Sequence, residues 1–253
     1  MVAVRILVNA LIMAAEVAAV AAVAWTAHLN PLSFAFATFV VALLLGASLE
    51  YARLEHEIPF YFGSRPRGRL TGVAVVVIAG VTTFVRAIVA GIIAILTFSG
   101  TNPDRLLWIA VVFGCVLYLA TNLLRLLAVR LDAEPSRWGY FRLAAPVGLA
   151  FSLGVAGLNA TGLITTPDLT SLGRTILLDT PAKPDVGQLS ELLFQMKLYI
   201  DSVVVTLLRQ VVGTDWAPVI GVLVSVNVLT GFVIALYAVL IAEIVVRTED
   251  LLL

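Results

Sequence analysis

The chain has 253 residues, of which 61% are hydrophobic and 13% are charged. A typical soluble domain carries roughly 25% charged residues, so this chain has too little polar surface to cover a water-soluble particle. Sixteen Lys and Arg residues balance sixteen Asp and Glu residues, and without a net basic field we expect no nucleic-acid partner. The composition predicts a protein whose main partner is the lipid bilayer.

Six apolar runs are long enough to cross the hydrocarbon core as α-helices, which takes roughly 20 residues each. They cover residues 6–27, 32–51, 70–98, 106–129, 143–164 and 218–246. The first run imitates a signal peptide, but Glu16 interrupts its apolar core, so we interpret it as a retained span. The sequence predicts an all-α polytopic membrane protein that forms a single membrane unit. We divide this unit into a four-helix region at 1–142 and a C-terminal region at 143–253.

Arginines in short loops predict the orientation, because Lys and Arg resist translocation. The arginines between the second and third runs are Arg53, Arg65, Arg67 and Arg69. Those around the junction of the fourth and fifth runs are Arg125, Arg130, Arg137 and Arg142. The connection between the first two runs carries no Lys or Arg. We therefore predict a multi-pass protein of the cell (inner) membrane. The arginine-rich loops and both termini lie on its cytoplasmic side, and the link at 165–217 lies on its outer side.

A short apolar stretch at 198–208 lies between the fifth and sixth runs and is too brief to span. Beside full-length spans it predicts a re-entrant helix, whose irregular backbone is tolerated where it is buried or lines water. The alternative is a seventh span at 191–212. That span would hold Lys197, Asp201 and Arg209, at about 2.5–3.5 kcal/mol for each charge at its centre. We favour six transmembrane helices with a re-entrant pore-type helix between spans five and six.

The segment after Asp201 resembles the pore helix and selectivity filter of the six-helix tetrameric cation channels of the potassium type. Val204-Val205-Thr206-Leu207 matches the pore helix of that family, and Asp215 and Pro218 match the end of its filter. The resemblance implies a pore-like module at 143–253, made of a span, a re-entrant hairpin and a span. It also implies a homo-tetramer with a central pore, whose inner vestibule the last span would line.

Within that module, the resemblance implies a pore site. Its residues are Thr206, Arg209, Gln210, Val211, Val212, Gly213, Thr214 and Asp215. A potassium filter is a set of backbone carbonyl rings that glycine conformations point inward. Gly213 is the only glycine among the filter positions here, so potassium selectivity is not predicted. Arg209 would favour the negative end of the pore-helix dipole but would repel cations if it faced the axis.

Two ionisable residues lie near the middle of predicted spans, Glu16 in the first and Arg86 in the third. Such residues are costly in hydrocarbon and usually find a partner inside the helix bundle. We predict an intramembrane ion pair between them. A lock on helix register is the favoured role, and a gating or proton-linked role is the alternative.

The sequence offers no catalytic or metal-binding motif. His28 and His56 fall in loops predicted on opposite sides, and neither has a second His or Cys at ligand spacing. We therefore expect no metal, no cofactor and no enzymatic activity. The predicted function is an oligomeric ion channel with a filter of non-potassium type. The alternative is a non-conducting scaffold subunit within a larger membrane complex, with other membrane subunits as partners.

Overall fold

The computed structural model describes residues 2–62, 69–131, 142–164 and 185–252. In these residues we number eight α-helices: α1 Val2–Trp25, α2 Pro31–Phe62, α3 Arg69–Thr97, α4 Pro103–Leu131, α5 Ala144–Ala160, α6 Val186–Val212, α7 Ala217–Val224 and α8 Thr230–Leu252. Two short 3₁₀ helices, η1 (Thr26–His28) and η2 (Val226–Leu229), join them. The loop arginines Arg65, Arg67 and Arg137 and the link residues 165–184 lie outside the described residues.

Five segments are long and apolar enough to cross a membrane. They are Ile6–His28, Pro31–Tyr51, Val75–Thr97, Pro103–Ala128 and Ala217–Thr248. These segments confirm the prediction of an all-α polytopic membrane protein. The predicted fifth span is not confirmed at full length, because its helix, α5, has 17 residues and a span needs roughly 20. The chain leaves that helix through Gly162, whose φ is +75°.

α8 is the central helix of the bundle. Residues 233–239 are all buried, and α8 contacts each of α1 to α5. A helix that is apolar on every side is covered either by neighbouring helices or by lipid, and along 233–239 neighbouring helices cover it. The prediction that the last span lines an inner vestibule is therefore not supported along 233–239, because helices of the same chain cover this stretch.

Aromatic side chains pack the bundle where α3 ends. Phe34 contacts Phe98 and Phe113 edge-to-face, with ring centroids 5.0 and 6.0 Å apart, and Phe113 contacts Phe151 at 6.4 Å. Tyr237 of α8 stacks on Phe34 at 5.7 Å. Such pairs each contribute about 0.5–1.5 kcal/mol beyond their buried area. They hold α2, α4, α5 and α8 together. We call this end of the bundle, where α3 finishes at Thr97 and α4 begins at Pro103, the α3–α4 end.

α6 is one helix of 27 residues, so the stretch at 198–208 lies mostly within its second half and is not a short separate element. A capping box of Asp185 and Gln188 starts it, and Gly213, with φ +88°, ends it. α7 then turns back along α6, where Gly221 lies against Val205. A re-entrant helix is not confirmed, and α6 is also not among the five segments that could span.

The last apolar segment is broken between α7 and α8. Ser225 is extended (φ −60°, ψ +148°), and η2 leads from it into α8. The hydroxyl of Thr230, the first residue of α8, lies 2.8 Å from that of Thr97, the last residue of α3. α8 therefore begins level with the end of α3, and it forms the second part of Ala217–Thr248, the last of the five segments that are long and apolar enough to cross. α6, α7 and η2 gather at the α3–α4 end.

Candidate functional site

One face of α6 docks on the bundle. Ser190, Phe194, Lys197 and Asp201 follow one another at intervals of four, three and four residues, which places them on one side of a helix. The first three are buried and Asp201 is half-buried. We call these four residues the docking face.

The beginning of the docking face is tied to the loop between α3 and α4. The backbone N–H of Gly100 donates to the Ser190 hydroxyl at 2.9 Å. The Glu191 carboxylate accepts from the N–H and hydroxyl of Thr101, at 3.1 and 3.2 Å, and from Arg105 at 3.4 Å. The Arg105 guanidinium also lies 3.5 Å above the Phe194 ring, a cation–π contact. α6 is therefore positioned by charged as well as apolar contacts.

Lys197 is a buried cation at the junction of α6, α3 and η2. Its side chain is 6% exposed, and its Nζ donates to the backbone carbonyl of Leu96 at 3.3 Å. That carbonyl belongs to the last turn of α3, where carbonyls lack helical partners and carry the negative end of the helix dipole. Burial lowers the pKa of Lys197 to about 8, with Asp201 opposing the shift and Arg105 adding to it.

Asp201 holds the break in the last apolar segment. Its Oδ2 accepts from the Ser225 hydroxyl and its Oδ1 from the Val226 N–H, each at 2.8 Å. The Ser225 oxygen in turn accepts from the backbone N–H of Asn227 at 3.1 Å. The first N–H groups of a helix need such acceptors. Asp201 therefore does for η2, from a different helix, what an N-cap residue does locally.

Replacing Asp201 with Ala should destabilise the fold, because the Val226 N–H and the Ser225 hydroxyl lose their shared acceptor. A lost hydrogen bond of this type costs about 1–3 kcal/mol, so we expect a lower melting temperature in detergent. Asp104→Ala is the matched control, since Asp104 is an exposed carboxylate in the first turn of α4, away from η2. Equal melting temperatures for the two variants would contradict the capping role.

The predicted pore residues lie together at the turn between α6 and α7, but not as a filter. Residues 209–212 are the last residues of α6, so their carbonyls point along the helix axis and do not form an extended ring. Thr206 uses its hydroxyl within α6, donating to the carbonyl of Ser202 at 2.8 Å. Residues 213–215 form the exposed turn. The resemblance implied a filter at these residues, whereas the described chain has a helix end and a turn there.

The structure gives Arg86 a different partner from the predicted one. Its Nη1 donates to Oε2 of Glu50 at 2.6 Å, linking α3 to α2. The Glu50 side chain is 7% exposed, and Arg53 approaches its other oxygen at 3.9 Å. Glu16 lies on α1, which packs mainly against α4 and α8. The predicted pair of Glu16 and Arg86 is corrected to Glu50 and Arg86, because α2 and not α1 lies along α3.

Sequence reasoning missed the site residues that matter most here, and of these Lys197 and Asp201 had a signal in the sequence. In the sequence, Lys197 and Asp201 were considered only for the free energy of inserting a seventh span. Their spacing from Ser190 and Phe194 places all four residues on one helix face. Glu50 lies at the end of a predicted span, where a carboxylate is expected at the membrane–water interface. Only the packing of α2 against α3 shows that it is buried.

The described residues hold no group of three or more His, Cys, Asp or Glu side chains that could bind a metal ion. Comparison with protein-family models, with curated proteins and with solved structures found no match. The class of the protein therefore comes from its fold: it is an integral membrane protein built of apolar α-helices.

Proposed function

We propose that this protein is an assembly subunit within the membrane, and that its copies associate through the turn between α6 and α7. The observation that carries this proposal is the exposed surface of residues 207–216, which we call the hairpin tip. Val211 is 82% exposed and Trp216 is 65% exposed, and both lie beside the exposed Arg209 and Asp215. In a single chain this surface is unfavourable in water because of its apolar side chains and unfavourable in lipid because of its charges.

The composition of the hairpin tip favours a protein partner. Arg and Asp at the centre of a hydrocarbon layer each cost about 2.5–3.5 kcal/mol, so the tip does not belong in the bilayer core. Leu207, Val211 and Trp216 are all exposed and would present large apolar side chains to water. A mixture of Trp, Arg and aliphatic side chains is typical of the buried centre of protein interfaces.

Opposite charges within one hairpin tip favour a second copy of this chain as the partner. Arg209 stands in the last turn of α6 and Asp215 in the turn that follows. When two or more tips meet around a symmetry axis, Arg209 of one copy can face Asp215 of the next. Such closed, self-complementary contacts are the rule in symmetric homo-oligomers.

Charge reversal tests this arrangement. Arg209→Asp and Asp215→Arg should each weaken the oligomer because like charges then face each other, whereas the double variant should restore it. Native mass spectrometry of the protein released from nanodiscs measures the distribution of oligomers. A double variant as dissociated as the single variants, or single variants with unchanged assembly, would contradict the proposal.

A cysteine cross-link checks the same contact by geometry. Trp216→Cys, in a chain whose Cys115 is replaced by Ala, should form a disulfide-linked dimer under mild oxidation. Trp108→Cys is the matched control, because Trp108 is also exposed but lies on α4. Equal cross-linking at both positions would indicate random collision, and insertion of the tip into lipid would give no cross-link at either.

A second candidate function is an ion pathway at the same axis, as the resemblance to tetrameric cation channels implies. It is favoured by one observation: the carbonyl end of α6 and the carboxylate of Asp215 lie together at the exposed tip. Helix C-termini carry partial negative charge, and rings of acidic side chains attract cations. The selectivity would then come from carboxylates and not from backbone carbonyl rings.

Ion flux into liposomes distinguishes conduction from assembly alone. If the tip lines a pathway, Asp215→Asn should lower the preference for cations over anions several-fold, and Arg209→Gln should raise cation flux. Asp104→Asn, at an exposed position in the first turn of α4, is the matched control and should change neither. Absence of flux through the assembled wild-type protein would eliminate the pathway and leave the assembly role.

A further inference from the structure

We propose that the buried charge of Lys197 controls whether α6 stays docked on the bundle. Its ammonium group lies between α6, the end of α3 and the break in the last apolar segment, and it favours the displaced position of α6. We call this device the latch. This inference goes beyond self-association and does not depend on it. It concerns a movement of α6 and the hairpin tip relative to α3, α4 and α8.

The surroundings of Lys197 compensate its charge only in part. Among the described residues, its Nζ has one hydrogen-bond acceptor, the Leu96 carbonyl at 3.3 Å. Asp201, one turn along α6, attracts it from beyond ion-pair distance and is itself occupied by Ser225 and Val226. Arg105, which faces it from α4, repels it. The other neighbours, on α3, η2 and α8, are Ile93, Val226, Leu229 and the Thr97 and Thr230 hydroxyls, which bond each other.

A lysine at this position weakens the docking of α6. Transfer of a charged side chain from water into a poorly compensated site is unfavourable, and a hydrophobic residue of similar volume is often more stable there. α6 has fewer contacts with α2 and α3 than with α7, so the interface that must open when α6 leaves is small. α7 itself is bonded to α5, where the Ser152 hydroxyl donates to the Val222 carbonyl at 2.6 Å. When α6 leaves, Lys197 returns to water and its charge is solvated again.

The direction of the pH effect follows from the two pKa values. Docked Lys197 has a pKa of about 8, and the displaced, solvated side chain has the ordinary value of 10.5. The displaced state therefore binds the proton more tightly, so protonation favours displacement. Docking is strongest above pH 10.5, weakens as the pH falls toward 8, and is constant below that. The equilibrium can change by up to about 300-fold across this window, at tenfold per pH unit.

Distance measurement between two spin labels tests the latch in the full chain. With Cys115 replaced by Ala, labels at Leu107→Cys on α4 and Ile200→Cys on α6 occupy exposed positions on either side of the junction. Pulsed electron resonance in nanodiscs at pH 7.5 and pH 10 then gives the docked and displaced fractions. In the wild-type background we expect a longer-distance population at pH 7.5 that shrinks at least tenfold, relative to the docked one, at pH 10.

Two variants separate the latch from a merely structural lysine. Lys197→Met removes the charge, so α6 should be docked at both pH values and the melting temperature should rise. Lys197→Arg keeps the charge, so the displaced population should persist and no longer depend on pH in this range. A wild-type distance distribution that does not change with pH, or more displacement in Lys197→Met than in wild type, would overturn the proposal.

Discussion

Gly148→Ala should prevent stable packing of α5 against α8. A methyl group at Gly148 would collide with the backbone carbonyl oxygen of Val228 and lie 3.3 Å from the Cα of Gly231. Backbone atoms cannot rotate away as a side chain can, so the two elements must separate. Overpacking usually costs about 1–3 kcal/mol, and we expect the upper end or more, read as a large fall in melting temperature and in yield of folded protein.

Gly157→Ala provides the control on the same helix. Gly157 also lies in α5, but nothing lies within 4 Å of a methyl group placed there. An alanine in a helix interior is about 0.5–1 kcal/mol more favourable than glycine, so this variant should melt at the same or a higher temperature. If Gly148→Ala behaved like Gly157→Ala, the close approach of α5 to η2 and α8 would be wrong.

Arg86→Leu should be the most damaging single change at a charged residue in the spans. It removes the cation 2.6 Å from Glu50, whose side chain is 7% exposed between α2 and α3. Removing one partner of a buried ion pair costs about 3–5 kcal/mol. Arg53, 3.9 Å from the other Glu50 oxygen, still compensates part of the charge, so we expect the lower end of this range. We expect low yield and a low melting temperature in mild detergent.

Second-site changes identify the partner of Arg86. The double variant Arg86→Leu, Glu50→Leu should recover most of the stability, because no uncompensated carboxylate remains. The double variant Arg86→Leu, Glu16→Gln should not recover, because α1 packs elsewhere. The reverse result would reinstate the pairing that the sequence suggested and would contradict the packing of α2 along α3.

The sequence predicted the spans better than it predicted their ends. Runs of apolar residues dictate burial away from water whatever their neighbours are, so four of the six predicted spans correspond to full-length helices, 6–27, 32–51, 70–98 and 106–129. The fifth run ended early, at Ala160, because the chain turns at Gly162. The sixth run is predominantly apolar, yet its helix breaks at Ser225, where Asp201 supplies hydrogen-bond acceptors from another helix.

The partners of the charged residues could not be predicted in the same way. Glu16 and Arg86 were plausible partners because both lie near mid-span, but hydropathy carries no information about which helices are neighbours. Likewise, the resemblance at 201–218 places the turn before the last apolar segment but does not reveal that residues 209–212 stay helical.

The amino-acid sequence by itself determined that this chain is a helical protein of the membrane, since the free energy of moving apolar side chains out of water depends on composition and run length alone. Only the tertiary structure decided that α8 is the covered centre of the bundle, that Arg86 meets Glu50, and that Lys197 is buried beside a broken helix. The physical reason is that these features depend on which helix faces lie against each other, and one-dimensional patterns of hydrophobicity are the same for many such arrangements.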